Sequence, residues 1–225
     1  MQKVGLRHDQ SAVLWASVAS MALWFVPILN LISLPIEYLN ALTHEMCHAI
    51  TAVVTGGRVE NIQVFPDGSG VTPVWGGMPQ LVGSAGYIGA SLIGVLILLF
   101  SRTPEGARTS LRLLAVSLAA SLIFWVRGEF GLVTSILWVA ALFSLAAYLP
   151  AKGALFVATF LGIQQCLHSL MALLTLAGVS FFTERHSDAL LLQQTTGLPA
   201  AFWAVSWMGF SLAVMGIALR GMWRR

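Results

Sequence analysis

Apolar residues run through this chain in long blocks, and the polar positions gather in the gaps between them. Stretches free of Asp, Glu, Lys and Arg cover residues 10–36, 68–101, 130–151, 153–183 and 189–219. Each is long enough to supply the roughly 20 apolar helical residues that cross a bilayer core. The pattern predicts an all-α polytopic membrane protein, a bundle of about six to seven transmembrane helices. The expected spans are 12–34, 36–55, 81–100, 109–126, 130–149, 153–180 and 199–219, and together 1–225 reads as a single membrane-embedded domain. Lys3 and Arg7 precede the first block as they would in a secretory leader. That block exceeds the ~7–15 apolar residues of a leader and no small-residue cleavage site follows it, so it reads as a retained helix.

One stretch breaks the helical pattern. Between 58 and 77, Val59, Ile62, Val64 and Phe65 lead into Pro66-Asp67-Gly68-Ser69-Gly70, and Val71, Val74 and Trp75 follow. Short apolar runs around a Gly-rich turn predict a β-hairpin insertion, with Asp67 and Gly68 as turn formers. A strand there with free backbone groups is suited to gripping an unfolded peptide by strand addition. Small residues also recur at Gly83, Gly86, Gly89, Ala90 and Gly94, spacing that suits close helix packing.

Composition agrees with the pattern. Hydrophobic residues make up 57% and charged residues only 9%, which excludes an ordinary water-soluble globule. The net charge of +3 is scattered singly among loops and ends, so no basic stripe for nucleic acid exists. With a cytoplasmic C-terminus, Arg102, Arg108, Arg112, Lys152, Arg220, Arg224 and Arg225 fall inside, the majority of the 12 basic residues. Cys47 and Cys166 lie within apolar segments and read as buried, reduced thiols.

The few remaining polar residues carry the chemistry. Thr43-His44-Glu45-Met46-Cys47-His48 contains His-Glu-x-x-His within the apolar segment 36–55. At ~100° per residue, His44 and His48 share one helix face and can bind one metal ion, with Glu45 about 60° away. Two imidazoles and one further ligand leave zinc a position for water, and the Glu is placed to take that water's proton. Three such residues inside an apolar helix are costly unless they have partners or a wet cavity. For the third ligand, Asp188 is the first choice, with His168, Glu37, Asp67, Glu129 and His186 as alternatives. Asp188 is equally well explained as a first-turn helix residue favoured by the dipole. Gln164, Gln165 and His168 form a polar patch on the sixth span, suited to helix association or to lining a passage for water. Cys47 is a lesser candidate for ligation, since a buried thiol is usually inert.

The HExxH on a membrane helix, the Gly56-Gly57-Arg58-Val59 step, the Asp-Gly-Ser-Gly-Val-Thr turn at 67–72 and the stretch from Asp188 to Trp203 resemble the site-2 protease family of intramembrane zinc metalloproteases, in its short bacterial form. The resemblance covers about 36–210. It implies a multi-pass protein of the bacterial cytoplasmic membrane that hydrolyses peptide bonds of membrane-spanning or membrane-adjacent substrates. It implies Zn²⁺ held by His44, His48 and Asp188, with Glu45 as general base. In the family the later Asp stands in a Leu-Asp-Gly setting; here Ser187 and Ala189 flank it. That difference keeps a second reading open, a non-proteolytic zinc-containing scaffold or regulator. The patch around His168 motivates a third, a small transporter, against which the lack of paired broken helices speaks.

Overall fold

The computed structural model describes the backbone at residues 8–25, 30–182 and 187–223. Its elements run α1 (His8–Phe25), α2 (Asn30–Val54), β1 (Arg58–Val59), β2 (Gln63–Val64), β3 (Gly70–Val71), β4 (Val74–Trp75), α3 (Pro79–Phe100), α4 (Pro104–Phe124), α5 (Glu129–Tyr148), α6 (Ala151–Phe182), α7 (Asp188–Thr196) and α8 (Ala200–Trp223). Among the described residues, α3, α4, α5, α8 and the 151–174 part of α6 are long and apolar enough to cross a membrane. Their outer faces carry exposed Ile123, Leu137 and Ile217, as lipid contact requires. The protein is therefore a multi-pass membrane protein, mostly helical, with a small hairpin after α2.

Two details differ from the sequence pattern. The first two helices do not divide at Pro35, which lies inside α2. Pro35 takes one backbone hydrogen bond from the helix, and its carbonyl accepts from Trp138 Nε1 at 2.8 Å. Between the sixth and seventh expected spans stands a separate short helix, α7. Ser187 caps it by accepting from Leu190 N–H at 3.2 Å, and left-handed Gly197 (φ 77°) ends it.

The hairpin is as expected. Arg58 pairs with Trp75 and Val59 with Val74, then Gln63 with Val71 and Val64 with Gly70. At its tip Gly68 adopts φ 83°, and Asp67 Oδ1 accepts from both Ser69 N–H (3.0 Å) and the Ser69 hydroxyl (2.6 Å). These bonds to the ionised carboxylate hold the Asp67 carboxyl below its ordinary value. Two anchors tie the hairpin to the bundle. Ile62 exchanges backbone hydrogen bonds with Trp125 and Arg127 between α4 and α5, and the Tyr38 hydroxyl of α2 donates to Pro66 O at 2.9 Å.

Glycines set how closely α3 approaches its neighbours. A side chain at Gly83 would press on Leu192 of α7, one at Gly89 would meet Cys47 Sγ at 2.6 Å, and one at Gly94 would meet Cys166 Sγ at 2.6 Å. At Gly86 it would collide with the imidazoles of both His44 and His48. The small-residue face predicted for helix packing is thus the face that leaves room for the site. Hydroxyls add a second tie. Ser91 of α3 lies 2.8 Å from Ser169 of α6 and donates to Ser211 of α8 at 2.7 Å, a buried polar junction of three helices.

Candidate metal centre

α2 presents His44 and His48 one turn apart, and α7 carries Asp188 to them. What brings α7 there is packing, because Leu192 is fully buried against Gly83 and the start of the helix then lies over the histidines. His44 Nε2 and His48 Nε2 are 3.0 Å apart, and Asp188 Oδ2 lies 3.5 Å from the first and 3.4 Å from the second. Ligands at ~2.1 Å around a tetrahedral zinc stand ~3.4 Å from one another, so the three atoms have the spacing of three corners of such a site. Tautomer chemistry agrees. His48 Nδ1–H donates to Val82 O at 2.6 Å, which leaves Nε2 with a lone pair aimed at the other two atoms. Lone pairs and a carboxylate converging at this distance repel unless a proton or a metal ion lies among them.

Glu45 stands beside this group without joining it. It is 7% exposed, and its Oε2 accepts a 2.6 Å hydrogen bond from the Thr72 hydroxyl, just beyond β3. Gly70 covers the same carboxylate, and a Cβ there would fall 2.8 Å from Glu45 Oε1. The hairpin therefore lies directly over Glu45. Tyr87 of α3 packs edge-on against His44, ring centroids 4.6 Å apart, and stacks on Trp207 of α8. Tyr87, β3 and His168 help line a cleft of about 610 Å³ that holds His44, Glu45, His48 and Asp188.

The other sequence candidates fall elsewhere. His168 faces the cleft but stands outside the three-atom group. Glu37 lies two turns up α2, bonded to the Ser33 hydroxyl at 2.8 Å. Asp67 is occupied in the hairpin turn, and Glu129 opens α5. His186 lies outside the described residues. Gln164 and Gln165 are both buried on α6, and Cys47 is turned towards Gly89. The sequence assigned Thr72, Val82, Gly86 and Tyr87 no part in the site. Thr72 and Gly86 sat inside motifs already singled out, but only the fold shows that they touch Glu45 and the histidines.

A family model described as Peptidase M50B-like matches residues 13–218 of the chain. No curated protein and no solved structure matches it.

Proposed function

The chain belongs to the Peptidase M50B-like family of zinc metallopeptidases, and from that premise we propose that it is an intramembrane endopeptidase that cuts membrane-spanning or membrane-adjacent proteins. The observation that carries the proposal is the convergence of His44, His48 and Asp188, with Glu45 beside them, in one cleft among membrane helices. His44 Nε2, His48 Nε2 and Asp188 Oδ2 would hold the zinc. When bound, zinc supplies a Lewis acid that polarises the scissile carbonyl and acidifies water near neutral pH.

The rest of the chemistry falls to the chain's own groups. Glu45 is the general base: its carboxylate takes the proton of the attacking water and passes it to the leaving amine. Thr72 occupies one lone pair of Oε2 and so fixes which way the carboxylate faces. The Val82 carbonyl holds the His48 ring in the tautomer that presents Nε2. A transmembrane helix has its carbonyls tied up in backbone bonds, so the substrate must unwind locally before it is cut. β3 pairs only with β2 among the described residues and lies along the cleft, which suits it to receive the unwound segment as an added strand. We place the protein in the cytoplasmic membrane of a bacterium, where short members of this kind work.

Glu45→Gln tests the assignment. Purified protein should keep its zinc and lose cleavage of a membrane-protein substrate, whereas His44→Ala should lose the zinc. Cleavage by Glu45→Gln at the wild-type rate would refute the proposed role of Glu45.

A further inference from the structure

The polar patch on α6 has no part in that chemistry. Gln164 and His168 face α2 across a second cavity of about 360 Å³, whose polar lining is completed by Ser33, Glu37 and Asn40. Asn40 and His168 line the catalytic cleft as well, so the two cavities are neighbours that share these side chains. Glu37 precedes His44 by two turns. That places it about 20° around the helix and about 10 Å along its axis. One carboxylate oxygen accepts from the Ser33 hydroxyl, and the other lies beneath the hairpin tip, 3.8 Å from where a Cβ on Gly68 would stand.

The charge balance of this region is uneven. In the zinc site, the carboxylates of Asp188 and Glu45 offset a divalent ion. Glu37 is then left over: neither cavity is lined by Lys or Arg, and among the described residues no Lys, Arg or His lies within salt-bridge distance of it. Among the described residues this partly buried carboxylate meets the Ser33 hydroxyl and shares its cavity with the His168 imidazole, but no fixed cation, and a cation brought to it there gains more than it would in water. We propose that the second cavity is a substrate subsite for a cationic side chain, lysine or arginine, of the segment being cut, a proposal that rests on the proteolytic reading above. Glu37 supplies the charge, and the carbonyl oxygen of Asn40, which lines the same cavity, offers a further acceptor. An extended chain advances about 3.3 Å per residue, so the ~10 Å from His44 to Glu37 sets the basic residue about three positions from the scissile bond.

The test uses full-length protein in detergent micelles with fluorogenic peptides carrying one lysine at successive positions around the cleaved bond, each matched by a norleucine peptide. Wild type should favour lysine at about the third position by tenfold to a hundredfold in kcat/KM, chiefly through KM, as a charge-assisted contact of this kind allows. In Glu37→Gln the lysine-to-norleucine ratio should fall to near one. Equal handling of the two peptides by wild type overturns the proposal, as does a lysine preference that survives Glu37→Gln. Should Glu37→Gln not fold, a glutamate peptide must be cut about tenfold less well than the norleucine peptide by wild type, and equal cutting overturns the proposal. If wild type cuts none of the peptides, the proteolytic reading fails by itself. Binding of the same peptides to zinc-loaded Glu45→Gln protein then decides the subsite, with lysine peptides binding about tenfold tighter than norleucine peptides if it exists and equally if it does not.

Discussion

Replacing Thr72 by valine keeps the shape and β-branching of the side chain and deletes a single atom's function, the hydroxyl that donates to Glu45 Oε2 at 2.6 Å. A hydrogen bond to a charged group is worth about 1.5–3 kcal/mol. Glu45 is only 7% exposed, so little water can replace the lost donor. At about 1.4 kcal/mol per factor of ten, the loss corresponds to a ten- to hundredfold fall in kcat. KM should change by less than about threefold, because the bond orients the base and does not touch the three candidate ligand atoms. The assay is steady-state cleavage of a membrane-protein substrate in micelles, with zinc content measured on the same preparation. Thr72→Ser, which keeps the hydroxyl, should restore most of the rate. A Thr72→Val enzyme within twofold of wild type in kcat would refute the positioning role, and so would a loss of activity that tracks a loss of zinc.

Gly86→Ala places a methyl group against the imidazoles of His44 and His48. Overpacking costs about 1–3 kcal/mol, while alanine contributes about 0.8–1 kcal/mol of helix propensity over glycine. The net cost of about 0–2 kcal/mol should lower thermal stability modestly, and zinc affinity, measured by competition with a chelator, should fall at least fivefold. Asp188→Ala removes the one carboxylate of the three-atom group, and zinc should dissociate at chelator concentrations that leave the wild type loaded. Gly68→Ala has ample room, its nearest neighbour being Glu37 Oε2 at 3.8 Å, but it forces φ 83° on a residue with a Cβ. A cost of about 1–2 kcal/mol in the hairpin should appear as faster proteolytic nicking between 63 and 71, with helix content unchanged.

Much of the fold was legible because a bilayer demands long apolar blocks and punishes charge. The hairpin was legible because Pro66-Asp67-Gly68-Ser69-Gly70 admits few backbone paths. What was not legible depended on partners remote in sequence. Pro35 marks a break when read locally, yet α2 runs through it. Asp188 begins a nine-residue helix that no hydropathy window isolates, and its first-turn position has a sufficient local explanation in the dipole.

The site divides along the same line. His44, Glu45 and His48 lie within five consecutive positions of one helix, so periodicity alone puts them together. Asp188 reaches them only because Leu192 packs on Gly83, and Thr72 reaches Glu45 only because the hairpin folds back over α2 with Gly70 too small to push it away. The glycines illustrate why sequence understated the site. Gly83, Gly86 and Gly89 read as a helix-packing face, which they are, but what they pack against is Leu192, the two imidazoles and Cys47 in turn. A bulkier residue at any one of them would press on these groups. The spacing of the three candidate ligands therefore rests on absent side chains as much as on the ligands themselves, and an absent side chain carries no chemical signature until its neighbours are known.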